Sequence, residues 1–539
     1  MDQPTDPQRR PSPVVVGSIL LALVVTIVAA IAFGVLRSRE PVQEPLPGSP
    51  RGEVAVSYPH MPLSLNPYTF EGDTIATRDL VRPVLPTLLE IGPDLDYGPS
   101  LAVRVPKGGD ISTTPFSVTF HLDPRAVWSD GVPVTADDVR FTWQAVLDPG
   151  APIADRSAYR LIRDVVVVDP HTVRLEFGEF YVWWPDLFSA GDFVLPRHAL
   201  EGKDFAAELR SGIAVGAGPF LLESWTPGLE MVYVANPRWW GRGPGFERVR
   251  VSFVPSTEVA LQLLEVGRVQ AMATTTEPGI AERMRANPTT RVTSRYGSAW
   301  WELLLQHGRP ALRDPAVRQS VASAVDRHGM AEAFAGDDGR PLDTLAPGWE
   351  PGSSDVFADI GFDPERARRL LAEAGAEPGP LALAGPADSE LGALLQGAVQ
   401  EGLSRAGITA EIGNPAEEQF YGSWLREGRF DLAVVERRGS PMMAVAGAYR
   451  STLHPPAGAN YGRLSSAAVD ETLGVVDRVK TVDRTLPDVL MRRLSAALPA
   501  VPLVEARAFI AYRPVIGGPS ANATVEGPFW NLEEWRPQS

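Results

Sequence analysis

Glu436, Arg437 and Arg438 follow directly on the apolar run Leu432-Ala433-Val434-Val435. A guanidinium presents five donors in a planar fork and stays charged at any ordinary pH, so two in succession suit a carboxylate or phosphate partner. The competing outcome is that both arginines face solvent or pair with Glu436. Three tryptophan pairs, Trp183-Trp184, Trp239-Trp240 and Trp300-Trp301, are the other large contact surfaces. An indole either lines a ligand site or fills a core, and the core is the commoner fate. The motifs of covalent and metal chemistry are missing. There is no G-x-S-x-G elbow, H-E-x-x-H, P-loop or G-x-G-x-x-G. The seven histidines are scattered without a close pair, and there is no cysteine, which excludes disulfides, thiolate metal sites and a cysteine nucleophile. No catalytic residue, cofactor or metal site is expected. Gly241-Arg242-Gly243-Pro244-Gly245 reads as a hairpin loop, because Pro244 lacks an N–H that a phosphate cradle needs. Asn522-Ala523-Thr524 fits a glycosylation pattern to which no role is attached.

Several elements must hold these residues. Val118, Phe120 and Leu122 alternate with polar neighbours, as in a strand. Ser129-Asp130-Gly131 is a turn, and Thr135 with Asp138 forms a capping box opening a helix. Val165–Val168 and Val173–Phe177 form a hairpin about Asp169-Pro170-His171. A helix over Glu258–Val266 ends at Gly267, and Val269–Met272 is the next strand. Asp314-Pro315 and Asp363-Pro364 are helix starts, with Val317, Val321, Ala324 and Val325 inward in the first and Leu370, Leu371 and Ala374 in the second. Leu391, Leu394, Leu395, Ala398 and Leu403 make a further apolar face, followed by strands over Ile408–Ile412 and Phe430–Val435. This alternation indicates an α/β lobe with a largely parallel sheet.

The run from Phe116 to Val139, with Trp128-Ser129-Asp130-Gly131 and Pro133-Val134-Thr135-Ala136-Asp137-Asp138-Val139, resembles the family-5 solute-binding proteins of ABC importers, the peptide/nickel-binding type. The resemblance continues through Leu65-Asn66-Pro67, Gly216–Phe220, Asn236–Trp240, Leu312–Arg327 and Asn460-Tyr461-Gly462, covering about residues 52–539. It implies the large form of the two-lobed periplasmic-binding-protein type II fold. Lobe one would span 52–305, with an extra subdomain at about 75–215. Lobe two would span 306–504, and 505–539 would return to lobe one, with hinges near Leu305 and Glu505. It implies a receptor that encloses a peptide or similar small solute, works with ABC permease subunits and acts as a monomer. The alternative is an anchored surface protein with a structural or chaperone-like role. In peptide-binding relatives, a Trp and then an Asp follow the strand matching Phe430–Ala433, and that Asp pairs with the ligand's ammonium. Here Arg437 takes the Trp place and Ser440 the Asp place, with Glu436 as the nearest substitute carboxylate. By the same resemblance Trp300, Trp301, Asn66 and Tyr461 are ligand-contact candidates. Removing either arginine is expected to weaken binding and leave stability nearly unchanged.

The chain has 539 residues, 44% hydrophobic and 22% charged, with a net charge of −16. Its length calls for more than one lobe, and its acidity argues against a nucleic-acid partner. Val14–Leu36 carries no charge and is long enough to cross a bilayer. After a cytoplasmic tail at 1–13 it reads as an uncleaved signal anchor, with cleavage near Ala30 or Ala32 as the rival. Residues 37–51, with Pro41, Pro45, Pro47 and Pro50, read as a stalk reaching on the order of 45 Å. The binding domain would then be extracytoplasmic, at the cell membrane.

Overall fold

Strands and short helices alternate from Glu53 onward and gather into two large sheets. The computed structural model describes residues 52–254, 256–275, 280–335, 340–345, 355–387, 389–416, 419–439, 447–454, 458–478, 485–505 and 507–538. The segments at 1–13, 14–36 and 37–51 therefore lie outside the described residues. No helix among the described residues is long and apolar enough to cross a membrane.

In chain order, β1 (Glu53–Tyr58) is followed by the hairpin of β2 (Leu89–Ile91) and β3 (Tyr97–Pro99). Four strands, β4 (Ile111–Thr113), β5 (Phe116–His121), β6 (Ile162–Asp169) and β7 (Thr172–Phe177), then form an antiparallel sheet in the order β4-β5-β7-β6. The hairpin at 169–171 and the capped helix at Ala136–Leu147 belong to this region. Thr135 N–H donates to Asp138 Oδ2 at 2.8 Å, and Gly131 takes the positive φ of 93° that its turn requires.

The first large sheet runs β12-β18-β11-β1-β10-β9-β8, from β8 (Phe220–Thr226), β9 (Glu230–Ala235), β10 (Arg248–Phe253), β11 (Ala271–Thr275), β12 (Arg291–Arg295) and, far later, β18 (Ala508–Tyr512). The glycine-rich loop at 241–245 joins β9 to β10, as a hairpin loop should. The second sheet runs β15-β14-β16-β13-β17, from β13 (Ala299–Leu305), β14 (Leu381–Ala384), β15 (Ala410–Gly413), β16 (Leu432–Arg438) and β17 (Ala500–Glu505). A two-strand ladder of β19 (Ile516–Gly517) and β20 (Arg536–Pro537) closes the chain.

The second sheet is mixed rather than largely parallel. β14 lies parallel to β15 and β16, but β13 is antiparallel to both β16 and β17. The reason is connectivity: β13 arrives from the first sheet and β17 departs for it, so the two run side by side in opposite directions. The chain leaves the first sheet after Arg295 and returns at Ala508, which pair with each other. Leu305 is the last residue of β13, so the first crossing precedes Ala299 rather than lying near Leu305. At the crossings the Tyr296 ring sits between two guanidiniums, Arg340 at 4.1 Å and Arg507 at 4.9 Å.

Each large sheet has its own core. Asp314 and Asp363 cap their helices by accepting from Ala316 and Arg366 N–H. Two helix faces differ from the pattern read in sequence. Ala367 and Leu371 point inward while Ala374 is exposed, and Leu394 is exposed while Val399 and Leu403 are buried. In both cases small inward residues set the phase of the helix. Gly402, for instance, lies so close to the Ala324 carbonyl that a Cβ there would come within 2.1 Å of it.

Candidate functional site

A cavity of about 430 Å³ lies where the two sheets approach each other. Its first wall comes from loops after β1 (Pro59 to Arg78) and from the stretch Ala154–Asp192. Its second wall comes from Tyr421–Arg426, the end of β16, and Gly447–Tyr461. Five carboxylates (Asp73, Asp155, Asp186, Asp192, Glu436) and four guanidiniums (Arg78, Arg426, Arg437, Arg438) line it.

β16 carries Glu436, Arg437 and Arg438 to the rim because its apolar half, Leu432–Val435, is fixed in the second core. Strand alternation sends neighbouring side chains to opposite faces, so the arginines have different partners. Arg437 Nε donates to Glu302 Oε1 at 3.0 Å. Glu302 is fully buried on β13 and also accepts from Trp300 Nε1 at 2.9 Å and Tyr449 OH at 2.7 Å. Arg437 Nη2 is buried and meets no acceptor among the described residues. Burial works against its charge, but Glu302 and the Tyr449 phenol outweigh it and hold the guanidinium above its ordinary pKa.

Arg438 turns toward the first wall. Its Nη1 donates to Asp79 Oδ2 at 3.0 Å, and its Nη2 lies 3.7 Å from Glu436 Oε1. Asp79 is 1% exposed and also accepts from Tyr58 OH at 2.6 Å. A second pair crosses in the same sense. Arg426 donates to Asp73 at 3.2 Å, and Asp73 accepts from Arg78 at 2.7 Å on its other oxygen. Burial alone would raise the Asp73 carboxyl, yet Arg78 and Arg426 bring it below its usual range. Arg426 also stacks over Phe70 at 4.6 Å. Outside the cavity Arg478 lies 3.2 Å from Glu179, and Val182 N–H donates to the Asp477 carbonyl at 3.0 Å.

The first wall keeps acids with less compensation. Asp192 accepts from Tyr159 OH at 3.0 Å and, chiefly through burial against the pull of Arg78, is pushed up to about 7. Asp155 faces the cavity, accepts from Ser157 N–H at 2.7 Å, and has no cationic group within 4 Å among the described residues. Its side chain is exposed to the cavity, and the protein around it raises its carboxyl. Across from them Tyr461 is 9% exposed, and its hydroxyl has no hydrogen-bond partner among the described residues. Its ring lies 5.9 Å from Arg426 and 5.7 Å from Arg437.

Of the residues singled out in the sequence, Glu436, Arg437, Arg438 and Tyr461 lie on the cavity wall. Ser440 lies outside the described residues. Three lie elsewhere. Trp300 and Trp301 are 1% exposed, the first held on Glu302 and the second packed in the second core. β13 is buried along its whole length, on both faces. Asn66 is fully buried and organises a turn: it donates to the Phe205 carbonyl and accepts from Tyr68 N–H. The sequon side chain Asn522 is likewise buried, on the Ile91 carbonyl. Asp73, Arg78, Asp155, Asp192 and Arg426 had no motif to mark them, being single charges in loops or short helices.

The same architecture occurs in solved structures at low identity. The oligopeptide-binding protein AppA from Bacillus subtilis, in complex with a nonapeptide, superposes with a TM-score of 0.79 at 17% identity, covering 91% of this chain and 100% of that one. NikZ from Campylobacter jejuni, in complex with Ni(L-His), gives 0.78 at 18%, covering 90% and 100%. In sequence, the oligopeptide-binding protein OppA of Mycobacterium tuberculosis is 24% identical over 517 residues, 90% of this chain and 85% of the relative. The profile of the middle region of the bacterial extracellular solute-binding proteins, family 5, matches residues 96–458, more than half of the chain. The chain thus belongs to the family 5 bacterial extracellular solute-binding proteins.

Proposed function

We propose that the chain is the substrate-binding receptor of an ABC importer, capturing a peptide or similar small solute between its lobes and delivering it to a membrane permease. The observation that carries this reading is the cavity of about 430 Å³ shared by both walls and lined by charges of both signs. The adjacent crossings at 296–298 and 505–508 suit a hinge, with the lobes opening to admit solute and closing on it. Closure needs a ligand that favours the closed form. The Arg438–Asp79 and Arg426–Asp73 pairs supply part of the closed-state bias. An anchor at 14–36 and a stalk at 37–51 would keep a monomeric receptor near its permease.

The test is mass spectrometry of small molecules released from the protein purified from its source cells, with capture of membrane partners from the same cells. A stoichiometric intact solute and a co-purifying permease support the reading. Processed products of the solute, or no solute and no permease, would overturn it.

A further inference from the structure

β1 begins at Glu53, so the chain enters the folded part at one end of the first large sheet. Other segments reach the same end. The loop joining β9 to β10 arrives there because Glu53 stands opposite Arg248, the first residue of β10. The turn before β11 arrives there because Ala55 N–H donates to Gln270 Oε1 at 2.9 Å. The stretch after β18 follows, since Arg513 N–H donates to the Gln270 carbonyl at 2.9 Å. Arg291, the first residue of β12, stands opposite Tyr512. The end of the chain joins them: Gln538 N–H donates to the Val515 carbonyl at 2.8 Å, and Arg536 Nη2 donates to the Gly243 carbonyl at 3.1 Å. These contacts make one continuous surface.

Its chemistry differs from that of the body behind it, which belongs to a chain of net charge −16. Arg242, Arg268, Arg291, Arg513 and Arg536 have no carboxylate within 4 Å among the described residues, whereas the neighbouring Arg248 and Arg250 are paired with Glu53, Glu223 and Glu230. Arg242, Arg268 and Arg291 are exposed. Arg513 lies across Gly267, where a Cβ would come within 2.0 Å of its guanidinium. The acids of these segments are Glu247, Glu265, Glu533 and Glu534. Glu265 and Glu534 accept from the Asn287 and Asn531 amides, and Glu533 is half-buried and pushed up to about 7 by burial. Among the arginines stand Val266, at 72% the most exposed large apolar side chain among the described residues, and Val515, 50% exposed.

We infer, resting on the anchored reading above, that this end of the first sheet docks on the anionic headgroups of a phospholipid bilayer. The arginines meet phosphates, and Val266 and Val515 enter the boundary beneath them. Guanidiniums left open beside exposed valines suit a surface that is anionic at its plane and apolar just below it. The place where the chain enters favours this partner over a soluble one. With 14–36 as the anchor, residues 37–51 reach on the order of 45 Å, so this end stays within that distance of the membrane. Tethering makes docking an intramolecular step at an effective concentration in the millimolar range, so a few weak contacts suffice. The acidic remainder of the body is repelled by the same headgroups, which leaves this end as the one that faces them. Docking would then fix how the receptor stands on the membrane.

The test is hydrogen–deuterium exchange on the full-length protein in lipid nanodiscs, of phosphatidylcholine alone or with phosphatidylglycerol mixed in. The amides at 239–243, 266–268 and 513–516 are expected to exchange more slowly in the anionic discs. They should return to the neutral-disc rate in about 1 M salt, where the screening length is about 3 Å. Arg268→Gln should lower the ratio of docked to free protein about fivefold, the weight of one arginine at an anionic surface. Arg242→Gln combined with Arg268→Gln should lower it further, and so should Val266→Asp. All three side chains are exposed, so the melting temperature should not change. Arg366→Gln, at an exposed arginine on the helix opened by Asp363, is the control and should change nothing. Equal exchange in the two kinds of disc, or protection that survives in the double variant, would overturn the docking surface. Protection that depends on protein concentration and not on lipid charge would assign the surface to a second copy of the chain instead. If the protein leaves the discs on washing, the anchored reading fails, and sedimentation with free vesicles then judges the surface. Salt-sensitive binding to anionic vesicles, weakened in the double variant, upholds it; binding indifferent to lipid charge, or none, sinks it.

Discussion

Arg437 and Asp155 line opposite walls of one cavity and are treated in opposite ways by the chain around them. Arg437 ends a core strand, and its cross-strand neighbourhood supplies Glu302, fully buried and placed before any ligand arrives. Asp155 sits in a loop, where the chain supplies only the local donors of its own turn. A strand end is enclosed by neighbours on both sides, so a charge there must be answered by protein. A loop wall can leave a charge to be answered by something else. A charge read in sequence is therefore not yet a charge offered to a ligand.

The largest effect expected from this contrast is at Glu302. Glu302→Ala strands the Arg437 guanidinium and removes an acceptor from Trp300 and Tyr449. Breaking a buried pair from one side costs about 3–5 kcal/mol, and urea unfolding should show that loss. By the same argument Arg437→Ala destabilises the protein, because Glu302 is left buried; the expectation of nearly unchanged stability does not survive this geometry. A loss under about 1 kcal/mol in Glu302→Ala would mean that the arginine is answered from the cavity and the contrast between the walls is weak.

Next is Arg438→Ala, which removes a pair between lobes and leaves Asp79 with Tyr58 alone. The stability loss should be roughly 1.5–3 kcal/mol, the range for a hydrogen bond to a charged group. Small-angle scattering of the ligand-free variant should shift toward a more open form. Superimposable profiles would show that this pair has no part in closure.

The strand, turn and capped helix from Phe116 to Leu147 were legible because each signal is local: period-two burial, a positive-φ glycine, a side chain reaching three residues ahead. So was the placement of Glu436–Arg438 at the end of an apolar strand. What escaped was long-range. Trp300 and Trp301 become core because both faces of β13 are covered, a fact of tertiary packing and not of spacing. The link between Arg426 and Asp73 spans 353 residues of sequence, and no periodicity relates them. Lone acids such as Asp155 and Asp192 have no local mark at all, since the turn chemistry around them is the same on any surface loop.

The pH dependence of the first wall gives a smaller effect. Asp192 sits at about 7 in the folded protein, against about 3.9 for a free carboxyl. The folded state therefore holds a proton that the unfolded chain releases between about pH 4 and 7. Its stabilising contribution is full below about pH 4, declines as pH rises toward 7, and is constant above. Glu505 and Glu533 are displaced in the same direction and stay in both proteins under comparison. The difference in unfolding free energy between wild type and Asp192→Asn should thus change across pH 4–7, by at most about 4 kcal/mol, and be flat from 7 to 9. A flat difference throughout would place the Asp192 carboxyl near its ordinary value and remove it from the argument about the wall.

The smallest effect is the sharpest check on the second wall. Tyr461 is nearly buried, its ring lies near Arg426 and Arg437, and its hydroxyl meets no partner among the described residues. Tyr461→Phe keeps the ring contacts and deletes only the hydroxyl. Removing a partnered buried hydroxyl would cost about 0.5–1.5 kcal/mol. Removing one without a partner should leave stability within about 0.5 kcal/mol. Calorimetric melting of the ligand-free variant at pH 8, where Asp192 is ionised, separates the cases. A loss above about 1 kcal/mol would show that the hydroxyl is already answered within the protein. The hydroxyl would then have nothing left to offer the cavity.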